Sequence, residues 1–381
     1  MEIAQELFAK GDYLKEGYAS ALSHCEDALN SKRGDLREIH LLQAQIYFAL
    51  RQNNKAMQIC QSLALQPLAD QPLLAAEIYL LLGNIWQREC NGLDYALQQY
   101  NTAWGCLLPN DPRVPARLKV EILIGKSLAI AKKEADYKTA SSTLRSAVGI
   151  AEEYLGTKAS PALKDIQLLS HAYYCWAFLL LLADQPRNAL VRCKDALDPL
   201  QTRSNDQELN LKAQILLLKA LIHEEKGDRD DAAAAVATVF DLDPPPMLLD
   251  PGVRQKEIEV SDKEVVAAAY FLRARYTENT DDKITSFTKA LENVENDDSL
   301  KALIQCERGY AYLQKARSGN SADSFRKAQE DFNILPANTK LYNPARNDLW
   351  QALIKIGKLE NLHQRIQEGL AALGEQSSPA V

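Results

Sequence analysis

Residues 211–246, LKAQILLLKALIHEEKGDRDDAAAAVATVFDLDPPP, constrain this chain more than any other stretch. Leu216, Ala220 and His223 recur at helical spacing, so they share one face of a first helix. Lys226-Gly227-Asp228 ends that helix, because glycine takes the left-handed conformation at a C-terminus without a Cβ penalty. Ala232, Val236 and Val239 line one face of a second helix, and Asp243-Pro244 stops it. Two short amphipathic helices with small residues at their closest approach make a helical hairpin. Such a hairpin cannot bury its apolar stripe alone and must stack on others like it.

The same order of small residue, aromatic, turn, alanine, bulky residue, alanine recurs along the 381 residues. Ala4 and Leu7 precede Gly11-Asp12-Tyr13, with Ala21, Cys25 and Ala28 on the second helix. Ala44 and Tyr47 are followed by Ala56, Cys60 and Leu63, and Gly83 and Trp86 by Ala96, Tyr100 and Ala103. Ile124 and Leu128 lead to Ala140, Leu144 and Ala147, and Trp176 and Ala177 to Ala189, Cys193 and Ala196. Beyond the prolines at 244–246, Ser261 with Glu264 reads as a capping box that restarts a helix. Phe271 and Ala274 then pair with Phe287 and Ala290, although Lys283 stands where alanine is usual. Gly309 and Tyr312 open another unit, whose second helix is set either by Phe325 and Ala328 or by Ala328, Phe332 and Leu335. A last hairpin from Trp350 to Leu370 carries charges and glutamines on its outer face, as a solvated cap would.

This pattern resembles the tetratricopeptide repeat family, whose unit runs roughly 34 residues. The long second helix that continues through Ala151 and Tyr154 to Gly156 and then Pro161 is similar to the repeats of kinesin light chains. The resemblance implies an all-α right-handed solenoid of eight or nine hairpins. The expected divisions are repeats over 1–243, a proline-rich connector over 244–260, further hairpins over 261–373 and a tail over 374–381.

Composition excludes several function classes. A net charge of -7 argues against a nucleic-acid binder, which needs a basic stripe to displace counterions. The apolar run 172–183 is about 18 Å of helix, short of a bilayer core, so no membrane insertion is expected. The acids near the N-terminus do not suit a secretory signal, and the expected setting is cytoplasmic. Seven cysteines without a Cys-x-x-Cys pair do not make a disulfide framework. Cys25, Cys60 and Cys193 are expected in the core.

Few motifs carry chemistry. Gly125-Lys126-Ser127 matches the end of a phosphate-binding loop, but Val120 stands where another glycine belongs and the flanks are helical. His171 and Cys175, one helical turn apart, supply two metal ligands where a zinc site needs more. His223 falls at an inward position and reads as a hydrogen-bonded core histidine. Asp228, Asp230 and Asp231 lack the ligand order of a calcium loop and suit a helix N-terminus. No catalytic constellation, metal or cofactor is therefore expected.

The resemblance also implies where a partner lies, since the family's first helices line a groove. The lining positions carry Leu41 and Phe48, Asn84 and Gln87, Tyr174, Phe178 and Leu181, and Leu217 and Leu221. Large apolar residues there suit an extended or amphipathic helical segment of a protein partner. They equally suit a groove closed by tight curvature or by the chain's own residues 244–253. The clamp with which some members grip acidic chaperone tails is not supported: Asn84 and roughly Lys126 match, but Leu80 replaces a lysine. The function these features favour is a non-catalytic interaction scaffold in a larger complex. A peptide- or small-ligand-responsive regulator is the alternative, with RNA binding further behind.

Overall fold

The computed structural model describes residues 15–31, 35–50, 52–89, 92–107, 114–158, 161–200, 206–242, 260–294, 298–319 and 322–333, together with Glu368. Among them are fifteen α-helices and no strand. They are α1 (Lys15–Asn30), α2 (Leu36–Ala49), α3 (Asn53–Ala64), α4 (Pro72–Gln87), α5 (Leu93–Cys106), α6 (Ala116–Glu134), α7 (Tyr137–Gly156), α8 (Leu163–Leu182) and α9 (Pro186–Leu197). After a 3-10 turn over Asp198–Leu200 follow α10 (Asp206–Lys226), α11 (Arg229–Phe240), α12 (Val260–Tyr276), α13 (Thr280–Glu292), α14 (Asp298–Gly319) and α15 (Ala322–Asn333). The helices divide into two compact units, α1–α9 and α10–α15. The first helix of the opening hairpin, residues 244–259 of the expected connector and the hairpin at 350–370 apart from Glu368 lie outside the described residues.

Each second helix is held by the triplet that its sequence supplies. Ala56, Cys60 and Leu63 are at most 1% exposed on α3. Ala96, Tyr100 and Ala103 on α5, Ala140, Leu144 and Ala147 on α7, and Ala189, Cys193 and Ala196 on α9 are all at 0%. Spacing of four and then three residues keeps each triplet on one stripe facing the first helix. On α15 the stripe is Ala328 and Phe332, while Phe325 is only half-buried, which settles the register left open by the sequence. The helix α7 runs on to Gly156, as the longer-repeat resemblance implied.

The hairpin turns follow elementary backbone chemistry. Gly227 takes φ +83° at the end of α10, and Ala135 and Asp184 hold φ 51° and 56° in the corresponding turns of unit 1. Asp35, Asp136 and Asn279 cap α2, α7 and α13 by accepting backbone N–H groups. The helix α8 is the one described helix long and apolar enough to cross a membrane. Leu169 and residues 172–181 on it are buried within unit 1, against α7 and α9, so it packs as a core helix.

The thiols of Cys25, Cys60 and Cys193 are unoxidised and buried, as expected. Burial pushes the Cys25 thiol up to about 11 and Cys60 to about 12, so both stay protonated and behave as small apolar groups.

Candidate functional site

Six of the nine residues expected to line a groove are core. Leu41 is 3% exposed and Tyr174 5%, while Phe178, Leu181, Leu217 and Leu221 are fully buried. The expectation of open apolar anchors is corrected by how the first helices pack. In unit 1, α2 touches α4, α4 touches α6 and α6 touches α8, and in unit 2 α10 touches α12. A first helix is thus covered by its own partner and by first helices of adjoining hairpins. Leu41 accordingly joins Ala44, Cys60, Leu63 and Ile78 in one cluster.

The other three keep partial exposure but are engaged. The Arg88 guanidinium lies 3.7 Å from the centre of the Phe48 ring and donates to the Phe48 carbonyl at 3.1 Å. The hydroxyl of Tyr100, on fully buried α5 core, reaches Asn84 Oδ1 at 2.8 Å and Gln87 Oε1 at 2.7 Å. A phenol has one proton, so it donates to one amide and accepts from the NH2 of the other, whose oxygen and nitrogen are exchanged. Asn84 and Gln87 therefore satisfy a buried tyrosine.

The phosphate-loop resemblance resolves in the same way. A Cβ on Gly125 would lie 2.5 Å from the Tyr100 ring, and buried Ser127 donates to the Ala140 carbonyl at 2.7 Å. Gly125 and Ser127 are packing residues between α5, α6 and α7. His171 and Cys175 share a contact of 3.6 Å between Nε2 and Sγ.

What the first helices of unit 1 present to solvent is charge. Glu38 on α2, Glu77 on α4, and Arg117 and Glu121 on α6 form a strip across three successive first helices, and buried Asp165 on α8 adjoins its end. Arg117 Nε donates to Glu121 Oε1 at 2.7 Å, and Lys158 Nζ donates to Asp165 Oδ2 at 2.7 Å. Glu38 and Glu77 have no ion-pair partner among the described residues. The Glu77 carboxyl is held above the usual glutamate range by burial, then by Glu121 and Glu38, with Arg117 opposing. Burial works against the Arg117 charge, but Glu121, Asp165 and Glu77 together outweigh it and raise its pKa. Setting aside the Lys158–Asp165 pair, the strip has three acids, Glu38, Glu77 and Glu121, against one base, Arg117.

No known family model matches the chain, and no curated protein matches it. Among solved structures, the apo form of RapI is similar at 13% identity, over 90% of this chain and 87% of that one, with a TM-score of 0.54. The fold is of the tetratricopeptide type. PilW, a widely conserved type IV pilus biogenesis factor, aligns at 21% identity over 64% of this chain and 91% of its own, with a TM-score of 0.46. A Rap protein complexed with competence and sporulation factor aligns at 11% identity over 92% of this chain and 81% of its own, with a TM-score of 0.47.

Within this tetratricopeptide-type frame the acidic strip has a sequence signature that the apolar reading passed over. Glu38, Glu77 and Glu121 each lie six residues ahead of a buried small residue on the same helix, namely Ala44, Gly83 and Ser127. A constant offset from the packing residue places the three carboxylates on equivalent points of successive repeats. The acids therefore align because the repeats do.

Proposed function

We propose that the chain is a non-catalytic protein-interaction scaffold that holds a basic partner segment along the first helices of unit 1. The observation that carries this reading is the environment of Glu77. Its carboxyl is acted on by Glu121 and Glu38, and among the described residues only Arg117 opposes them. A lysine or arginine brought beside it would relieve that repulsion and gain a charge-assisted hydrogen bond. The tetratricopeptide-type fold supports a protein partner, since repeat hairpins build long surfaces suited to extended segments. The apolar anchors expected from sequence, Tyr174, Phe178, Leu217 and Leu221, do not enter this reading, because they are buried.

An array of short peptides, graded from basic through neutral apolar to acidic, tests it directly. The reading expects retention of the lysine- and arginine-rich members, falling steeply as salt screens the charges. Retention of apolar members irrespective of salt would contradict it.

A further inference from the structure

The turn between α10 and α11 in unit 2 brings together three groups that no part of the reading above uses. His223 lies in the last turn of α10, Asp228 is the N-cap of α11, and Asp231 lies in its first turn. The left-handed Gly227 folds the chain back, and the Asp228 N–H donates to the His223 carbonyl at 2.9 Å. That bond closes the turn and brings the start of α11 beside the imidazole. Its Nδ1 faces Asp228 Oδ2 at 3.7 Å and Asp231 Oδ2 at 3.6 Å, and the three ligand atoms lie within 4.8 Å of one another.

The histidine itself points to a ligand. His223 is 9% exposed, and its buried Nδ1 has no hydrogen-bond partner. The two carboxylates are too distant to be one. Leaving a buried nitrogen unpaired is unfavourable, and the satisfied core histidine expected from sequence is not what the fold provides. The carboxylate of Asp228 makes no capping bond to α11, although Asp136 and Asn279 cap their helices. It turns instead toward His223 and Lys226.

We propose that His223, Asp228 and Asp231 bind a first-row divalent cation of the zinc type at this turn. Bonds of about 2.0–2.2 Å at tetrahedral angles place ligand atoms about 3.3–3.6 Å apart, close to the 3.7 and 3.6 Å between the imidazole and the two carboxylates, which themselves lie within 4.8 Å of each other. One imidazole with two carboxylates is a nitrogen-and-oxygen set that favours zinc-like ions over calcium or magnesium, which take oxygen alone. Three protein ligands leave a fourth position. It opens toward solvent beside Asp231, whose side chain is 68% exposed, and water or a partner's side chain can fill it. Lys226 pairs with Asp228 and competes with the cation for that carboxylate. The site therefore binds more weakly than a closed structural zinc site.

The test uses the full chain, stripped of metal with a chelator and titrated with Zn2+ against a chromophoric indicator. Co2+ serves as a second probe, since tetrahedral coordination gives it a distinct visible absorption. The proposal expects one equivalent per chain in the micromolar range. Asp228→Asn and Asp231→Asn, both at solvent-accessible positions, should each weaken binding by at least about tenfold. Lys226→Met should tighten it, a gain that damage to the fold cannot produce. His171→Ala, remote on α8, should leave it unchanged. Absence of a stoichiometric equivalent would overturn the proposal, as would binding indifferent to both asparagine variants or binding lost in His171→Ala.

Discussion

The ring of Tyr100 on α5 occupies the space that a side chain on Gly125 of α6 would need, since a Cβ there would lie 2.5 Å from Tyr100 Cε1. Gly83 on α4 meets the same ring, at 2.6 Å. One tyrosine thus keys three helices together, and its hydroxyl is held by Asn84 and Gln87. Gly125→Ala should destabilise the chain by about 1–3 kcal/mol through overpacking. Tyr100→Phe, which leaves the two amides without their shared partner, should cost about 1–3 kcal/mol. Chemical denaturation of the two variants measures both, and nucleotide should protect neither.

Phe178 provides the second expectation. It is fully buried on α8, so Phe178→Ala should lower stability by about 3–5 kcal/mol through the cavity it leaves. Thermal melting reports this directly. A variant that melts like the parent would show that the phenyl ring is not packed.

Unit 2 is keyed in part by charge. Arg308 on α14 donates to both oxygens of Asp331, at 2.9 and 2.7 Å, and to Thr288 Oγ1 at 3.2 Å, while Asp331 is 3% exposed. Removing one partner strands a buried charge, so Asp331→Ala should cost about 3–5 kcal/mol. The double change Arg308→Met with Asp331→Leu removes both charges and should cost less than Asp331→Ala alone. Denaturation of the two variants side by side compares them.

The strip makes a prediction about pH. Burial, then Glu121 and Glu38, holds the Glu77 carboxyl above its ordinary value of 4.5. Between that ordinary value and the raised one, the folded chain binds more protons than the unfolded chain, so stability falls as pH rises through the window. Glu77→Gln removes this effect. The variant should melt above the parent at neutral pH, and the difference should close below pH 4.5.

Much of the fold was legible because the second helices carry their packing stripe openly. Ala96, Tyr100 and Ala103 can face only one way on a helix, and the structure buries them together. The first helices were harder to read. Phe178 and Leu217 occupy positions that line an open groove when neighbouring first helices stand apart, and the sequence does not reveal that α6 packs on α8 or α10 on α12. The charged strip was present as a repeated glutamate, but Glu77 and Glu121 lie beyond the first turn of their helices, where a solvent-facing acid is commonplace, so neither gave a separate signal. The convergence of His223 on Asp228 and Asp231 depends on side-chain rotamers after the left-handed turn at Gly227; the turn was legible and the rotamers were not.

The central claim is that Glu38 and Glu77 receive a basic segment. Its most direct test is a titration of the best-retained basic peptide into the parent chain, into Glu38→Gln with Glu77→Gln, and into Glu38→Lys with Glu77→Lys. A lysine substitution at Glu330, an exposed acid on α15, serves as the control for net charge. The account predicts weaker binding in the glutamine variant, a further loss of at least about tenfold in the lysine variant, and little change in the control. Equal affinity across all four chains would contradict it.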